Sequence, residues 1–299
     1  MATKETGIQF LARLGSRPSL TGIQPIIFGE QGPQTKDVIE LYGGEGTGKT
    51  ELLVHLICRC ILPEYWNNVP LDGHGAGVVF IDTDFKFSVI RLVTVIEKYI
   101  LDKARDCSKF TAIDSDSIES FIRECLKKLH ILRCTSSEQL VVTLHNLENL
   151  ICNESSVSVI MTDSISTFYW IDKSNGGDSI QAQESNMKYV TEILSKLINT
   201  YSLTLLVTKA VVYKKKGQND CFEGESGMQS LSKHFANQDL ELFHAEFMCK
   251  PWQRLVSHRL VLVKDLREGN QEQLFVIGGD CAQGNQTFKV CESGIKFLS

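Results

Sequence analysis

Eight consecutive residues, 43–50, have the types and the spacing of a loop that binds phosphate. They read G-G-E-G-T-G-K-T and satisfy the pattern G-x-x-x-x-G-K-[ST] in full. Glycines let successive backbone N–H groups turn inward around an anion. Lys49 would carry a positive charge to the outer phosphates of a nucleotide, and the Thr50 hydroxyl would ligate Mg²⁺. The predicted nucleotide site consists of Gly43, Gly44, Glu45, Gly46, Thr47, Gly48, Lys49 and Thr50.

Two aspartates that follow apolar runs are candidates to complete this site. Asp163 can hold the Mg²⁺ shell, directly or through water; its alternative interpretation is a helix N-cap. Asp84 stands where a nucleoside triphosphatase needs a group that orients or deprotonates the attacking water. A cap on a helix that begins near Phe87 explains Asp84 as well. The sequence thus offers Thr50 and Asp163 as metal ligands and Asp84 as the catalytic candidate.

The elements around these residues would place them at one edge of a sheet. An apolar run at 37–42 enters the loop and a helical pattern leaves it from about Lys49, which argues against a chance match in a glycine-rich turn. Continuous apolar runs at 78–81, 157–162 and 203–208 are typical of parallel strands buried on both faces. Alternating strands and helices predict an α/β fold with a mainly parallel sheet. Ligands of such sheets lie beyond the carboxyl ends of the strands.

The remaining segments divide the chain into an N-terminal arm, 1–36, and a core, 37–299. The arm is too short to fold alone, and its apolar side chains predict that it packs on this core or on a partner. Late strands without long helices between them predict antiparallel additions at the sheet edge; they lie at 260–263, 274–277 and 288–290. Polar stretches that contain glycine predict loops at 172–178 and 213–238.

Composition and charge argue against several classes of protein. The net charge of −5 and the sequence pI of about 5.8 disfavour a strong stand-alone binder of nucleic acid. No run approaches the roughly 18 apolar residues of a membrane span. The first residues carry no apolar signal core, so secretion is not expected. The ten cysteines lack zinc-binding spacing and predict reduced thiols.

The spacing of the motifs resembles that of the RecA-type recombination ATPases. The resemblance covers about residues 37–297 and is carried by four segments: the loop at 43–50, F-I-D-T-D at 80–84, V-I-M-T-D-S at 159–164 and L-L-V-T at 205–208. It implies a RecA-like P-loop NTPase core that uses ATP and Mg²⁺. Shorter phrases are similar to paralogues of the eukaryotic strand-exchange recombinase. That similarity implies homologous-recombination repair of double-strand breaks and crosslinks in the nucleus. It also implies a hetero-oligomer with other recombinase paralogues, with the D-type paralogue as direct neighbour, and contact with single-stranded or branched DNA through that complex.

The chain departs from this family where catalysis would occur. The family has Glu where Asp84 stands. The shorter side chain withdraws the carboxylate by about 1.5 Å, and a displacement of about 1 Å can cost a hundredfold in rate. The family has an Asn-Gln pair where Lys209 and Ala210 stand, and Ala210 has no side-chain hydrogen-bonding atom. No arginine lies between Arg133 and Arg254, although arginine is the usual residue for bidentate phosphate contacts.

Three functions therefore compete. The first is a subunit that binds ATP, hydrolyses it weakly and helps to assemble or stabilise recombinase filaments on DNA. The second is an active DNA-dependent ATPase that exchanges strands itself, and the third is a small-molecule P-loop kinase. Asp84 and Ala210 favour the first over the second. The arginine-free interval disfavours the kinase, which needs cationic groups that close over phosphates. Acidic neighbours of the lysines at 214–216 favour a solvated loop over a DNA contact.

Overall fold

A nine-stranded sheet organises the computed structural model, which describes residues 6–107, 114–177, 179–211, 213–214, 229–230, 243–244, 246–265, 273–280, 282 and 284–298. Its strands are β1 Val38–Gly43, β4 Gly77–Asp82, β5 Leu129–Arg133, β6 Val157–Asp163, β7 Thr204–Ala210, β11 His258–Asp265, β12 Leu274–Gly279, β13 Gln286–Cys291 and β14 Gly294–Leu298. Across the sheet they have the order β14-β13-β12-β11-β1-β7-β6-β4-β5. Two smaller sheets are formed by short strands. One pairs β2 Tyr65–Trp66 with β3 Val69–Pro70, and the other contains β8 Tyr213–Lys214, β9 Gln229–Ser230 and β10 Phe243–His244.

Helices cover both faces of the sheet. They are α1 Gly7–Leu14, α2 Pro25–Phe28, α3 Lys49–Ile61, α4 Val89–Arg105, α5 Ser115–Leu126, α6 Ser137–Asn153, α7 Tyr169–Asn175, α8 Ile180–Tyr201 and α9 Lys250–Leu255. Side chains alternate between the faces of each strand: Val78 and Phe80 pack with α3 and α4, whereas Val79 and Ile81 pack with α6 and α8. None of the described helices is both long enough and apolar enough to cross a membrane.

The predicted mainly parallel sheet with antiparallel edge strands is confirmed, with one correction. Six strands are mutually parallel, in the order β11, β1, β7, β6, β4 and β5. The strands β12 to β14 continue the sheet from β11 as an antiparallel edge. The segment 260–263 was predicted to be an antiparallel addition, and this is wrong, because β11 pairs with β1 in parallel. The short helix α9, which the sequence pattern missed, precedes β11 and belongs to the crossover that returns the chain in the parallel direction.

The predicted loop at 172–178 is wrong over its first part. Residues 172–175 form the end of α7. The Ser137 hydroxyl donates a 2.7 Å hydrogen bond to Asp172 Oδ1, and the Asn186 side-chain amide contacts the same carboxylate at 3.5 Å. The polar side chain of Asp172 therefore joins three helices rather than marking a loop. Residue 178 lies outside the described residues, and so does most of the predicted loop at 213–238.

The N-terminal arm meets the core in two different ways. Residues from Leu20 to Phe28 are tied to it: Leu20, Ile23, Ile27 and Phe28 are all buried in the cluster that contains α3 and α4. Helix α1 begins at a capping box on Thr6 and exposes its large apolar side chains. The exposed fractions are 60% for Ile8, 46% for Phe10, 70% for Leu11 and 61% for Leu14. The expectation that the arm packs on this core holds for 20–28, while α1 leaves an apolar surface open.

Arg17 fastens the arm between these two parts. Its guanidinium donates to the backbone carbonyl oxygens of Ile151 at 3.1 Å, Glu154 at 3.3 Å and Val157 at 2.5 Å. The first two of these carbonyls belong to the C-terminal end of α6, where carbonyl groups lack helical partners and carry negative partial charge. Burial lowers the pKa of Arg17 from its usual value. One half-buried cation thus donates to three backbone carbonyl oxygens from two neighbouring elements and the turn between them.

Candidate functional site

The loop at 43–50 connects β1 to α3 and has the backbone shape that a phosphate-binding loop requires. Gly46 and Gly48 have φ of 67° and 89°, in the left-handed region that favours glycine. A Cβ on Gly43 would lie only 2.3 Å from the carbonyl oxygen of Leu262 on the neighbouring strand. Any side chain at these three positions would distort the loop. The glycine spacing seen in the sequence is therefore explained by backbone conformation and by close approach.

Lys49 lies at the first turn of α3 with its ammonium turned back onto the loop. Its Nζ donates to the carbonyl oxygens of Gly43 at 2.8 Å and Gly44 at 2.7 Å. Burial is the main cause that lowers the pKa of Lys49, and Lys86 lowers it further, while Asp163 and Asp84 act in the opposite direction. Phosphate oxygens placed in the loop would offer this ammonium stronger, charged acceptors than the two carbonyls.

Thr50 and Asp163 meet as the sequence predicted. The Thr50 hydroxyl donates a 2.7 Å hydrogen bond to Asp163 Oδ2, and the hydroxyl of Thr208 donates to the other carboxylate oxygen. Asp163 is almost fully buried and caps no helix here, because residues 164–168 separate it from α7. Among the described residues, no group of three or more His, Cys, Asp or Glu side chains could hold a metal ion. A Mg²⁺ ion at this place would take Thr50, Asp163, water and phosphate oxygens as ligands, which is the mixed set that Mg²⁺ prefers.

Asp84 faces the same cleft and does not cap the following helix. The N-cap of α4 is Ser88, whose side chain accepts the backbone N–H of Arg91, so the capping interpretation of Asp84 is wrong. One Asp84 oxygen accepts a hydrogen bond from the Thr167 hydroxyl. The other lies 3.9 Å from Lys86 Nζ, and Lys86 also lies 3.5 Å from a carboxylate oxygen of Glu45. The carboxylate is thus held between a hydroxyl and a lysine at the rim of the cleft.

All predicted site residues line a single cleft of about 700 Å³, a volume within the usual range for small-molecule sites. Its wall also includes Ser164, Thr208 and Ala210, at the ends of β6 and β7, and Phe275 and Val290 from the antiparallel edge. The methyl group of Ala210 offers this wall no hydrogen-bonding atom. The cleft lies at the carboxyl ends of the parallel strands, as the α/β pattern predicted.

Lys209 turns away from the cleft into a buried ionic network that the sequence pattern did not reveal. Its fully buried ammonium lies 2.9 Å from Glu40 Oε1 and 2.8 Å from Glu246 Oε2. Glu40 also contacts Arg259 Nε at 3.3 Å and accepts a 2.8 Å hydrogen bond from the Trp252 indole. The alternation along β7 explains the direction of Lys209, since its neighbours on both sides face the nucleotide cleft.

Hydroxyl groups that connect the strand ends are the other feature that sequence reasoning missed. The Thr83 hydroxyl lies 2.7 Å from the carbonyl oxygen of Ser164 and 2.9 Å from the hydroxyl of Thr167. The Ser166 hydroxyl accepts the backbone N–H of Ala210 at 3.0 Å. The only sequence signal was the repeated occurrence of Thr or Ser beside Asp at the ends of apolar runs. These bonds fix β4, β6 and β7 to one another at the edge that carries the site.

Comparisons with known proteins agree with this geometry. Residues 23–230 match the model of the Rad51 family. The chain is 36% identical to the DNA repair protein XRCC2 of Mus musculus over 98% of this chain and 97% of that protein. It is 26% identical to the DNA repair protein XRCC2 homolog of Arabidopsis thaliana, over 80% of this chain and 73% of that protein. The DNA repair and recombination protein RadA of Methanoculleus marisnigri is 25% identical over 60% of this chain and 51% of that protein. The predicted resemblance to recombinase paralogues is confirmed, and the chain belongs to the Rad51 family.

Proposed function

We propose that this chain is an ATP-binding subunit of the nuclear machinery that repairs double-strand breaks and crosslinks by homologous recombination. Its role in that machinery is to help assemble or stabilise the recombinase filament on DNA. Two relatives named as DNA repair proteins support this proposal. One matches nearly the whole length of this chain, and the other matches most of it. The observation that carries the proposal is the pairing of Thr50 with Asp163 beside a complete phosphate loop.

Each part of the site has a separate task toward ATP and Mg²⁺. Inward N–H groups of the loop at 43–50 and the N-terminal end of α3 would bind phosphate oxygens. Lys49 would exchange its two carbonyl contacts for the outer phosphates, and Thr50 and Asp163 would orient the ion's shell. When bound, Mg²⁺ supplies charge neutralisation at the outer phosphates. These residues fit ATP with Mg²⁺ because the N–H donors of the loop, the Lys49 ammonium and the Asp163 carboxylate converge on one cleft.

Hydrolysis by the isolated chain should be weak. Asp84 remains the catalytic candidate, but one of its oxygens is held by Thr167 and its side chain is shorter than the family's Glu. Ala210 lines the cleft without a polar side-chain atom. Asp84 is therefore poorly placed to orient the attacking water, and Ala210 cannot contact the γ-phosphate through its side chain. A partner subunit would have to supply these two interactions. These features favour an assembly subunit over an independent strand-exchange enzyme.

Titration with a fluorescent ATP analogue and Mg²⁺ tests the assignment of the nucleotide site. Lys49→Ala should weaken binding at least tenfold, which corresponds to about 1.4 kcal/mol, because the charge on the outer phosphates is removed. Phosphate release in the presence of single-stranded DNA should stay well below the roughly 1–10³ s⁻¹ of typical enzymes. Equal affinity of variant and parent would refute the ATP site. Turnover of several per second that is lost in Asp84→Asn would favour the active ATPase instead.

The exposed face of α1 supports a hetero-oligomer as the working form. Phe10, Leu11 and their neighbours present more apolar surface than a solvated helix usually does. Other recombinase paralogues, with the D-type one as direct neighbour, are the proposed partners, and single-stranded or branched DNA would be reached through the complex. Co-expression with each paralogue followed by light scattering measures the assembly. A homogeneous filament of this chain alone, or no association with any paralogue, would contradict this part of the proposal.

A further inference from the structure

Lys264 reaches the phosphate loop from the neighbouring strand, although no motif singled it out. In β11, Leu262 pairs with Gly43 at the start of the loop, and its side chain is buried on the face that carries α3. Lys264 lies two residues further along the strand, so its side chain projects from the same face. Its Nζ lies 3.2 Å, and its Cε 3.5 Å, from the position that a Cβ on Gly46 would take. The ammonium therefore rests against the middle of the loop.

The ammonium of Lys264 is not held in an ion pair within the described part of the chain. The other two lysines of the site are engaged: Lys49 donates to two loop carbonyls, and Lys86 lies between Glu45 and Asp84. The ammonium of Lys264 forms no hydrogen bond or ion pair with any described residue, and the residue is only partly exposed. A cation outside an ion pair adds positive potential at the loop, and anions are attracted to such a place.

We propose that Lys264 is a third lysine of the nucleotide site, binding phosphate oxygens of a nucleoside di- or triphosphate held by the loop of the same chain. This inference rests on the proposed ATP binding. A lysine has a flexible four-carbon stem, so the ammonium can move from Gly46 to a phosphate oxygen without a change in the backbone. The chain has no arginine between Arg133 and Arg254 that could bind the phosphates, and Lys264 would add a cation of the same chain to Lys49.

The test compares Lys264→Met with the parent in titrations of fluorescent ATP and AMP analogues with Mg²⁺. Methionine keeps most of the apolar stem and removes the charge. ATP affinity should fall on the order of tenfold, as for one charge-assisted hydrogen bond, and AMP affinity should change less than twofold. Lys264→Arg, which keeps a cation, should stay within about threefold of the parent for ATP.

Lys296→Met is the matched control, because Lys296 belongs to the same sheet and is 55% exposed, with its ammonium 3.5 Å from Asp102. It should bind ATP like the parent. Melting temperatures without nucleotide verify that each variant is folded, and Lys264→Gln replaces Lys264→Met if the latter is not. If Lys49→Ala loses ATP while the neutral Lys264 variant does not, the inference is wrong and the proposed function stands. An equal loss for ATP and AMP also overturns it. A parent that binds neither nucleotide refutes both.

Discussion

The buried network around Lys209 permits a quantitative prediction about stability. In Lys209→Met the ammonium that lies 2.9 Å from Glu40 and 2.8 Å from Glu246 is replaced by an uncharged group of similar length. The four groups, Lys209, Arg259, Glu40 and Glu246, carry two positive and two negative charges before the substitution and one positive and two negative charges after it. Lys209 and Glu40 are fully buried, so water cannot compensate for the loss.

Removal of one partner from a buried ion pair typically costs about 3–5 kcal/mol. Arg259 stays 3.3 Å from Glu40, and the Trp252 indole continues to donate to it. We therefore expect the lower end, about 3 kcal/mol, which is a large share of the roughly 5–15 kcal/mol that stabilises a typical protein. In the double variant Lys209→Met with Glu40→Gln the charges are equal again, and at least about 1 kcal/mol of this loss should be recovered.

Urea unfolding followed by circular dichroism measures these differences. Lys196→Met is the control, since its ion pair with Glu148 spans 3.7 Å with a 64% exposed lysine, and exposed pairs contribute about 0–1 kcal/mol. If Lys209→Met lies within about 1 kcal/mol of the parent, the network does not stabilise the fold as argued. The reasoning about charge is also refuted if the double variant is no more stable than the single one.

Two further predictions concern Arg17 of the arm and His55 of α3, whose ring Nε2 lies 2.9 Å from Gln24 Oε1 of the arm. Arg17→Ala should lower the free energy of unfolding by about 2–3 kcal/mol, because three backbone acceptors lose a charged donor; Arg105→Ala, at a 71% exposed ion pair, is the control, and equal effects in urea unfolding would contradict the argument. Burial, followed by the charge of Arg59, lowers the pKa of His55 from 6.5 to about 4. Between these two pH values the folded chain keeps His55 neutral while the unfolded chain binds a proton. Protonation of His55 therefore leaves the free energy of unfolding unchanged above about pH 6.5 and lowers it as the pH falls toward 4. His55→Gln should flatten the loss of stability between these pH values, and an unchanged pH profile would show that another group causes it.

Sequence patterns predicted most of the core because the signals there are local. The loop at 43–50 combines glycines that the backbone requires with a strand before it and a helix after it, and Asp163 follows a continuous apolar run. Long-range contacts left no such pattern. Nothing near Lys209 in the sequence indicates Glu40 or Glu246, which lie 169 residues before it and 37 after it. The parallel direction of β11 likewise depends on a crossover rather than on its own residues.

Asp172 shows why a polar stretch was misjudged as a loop. Hydrophilic residues indicate a loop when their hydrogen bonds go to solvent or to nearby backbone. The carboxylate of Asp172 instead bonds to side chains from α6 and α8. Lys264 was passed over for a related reason. Its distance from Gly46 arises from the register between β11 and β1, and register between strands remote in sequence cannot be read from either strand alone.

The fastening of the arm by Arg17 has a consequence for the speed and strength of association. A free apolar peptide must lose much of its conformational entropy when it binds a partner. Helix α1 is already capped at Thr6, and Arg17, which follows it, is hydrogen-bonded to the end of α6. Helix α1 therefore loses its conformational entropy when the chain folds and not when it binds a partner. Phe10 and Leu11 then reach the partner surface in fixed positions. Loosening residues 15–19 with glycine would leave every contact of that surface intact and still weaken the complex.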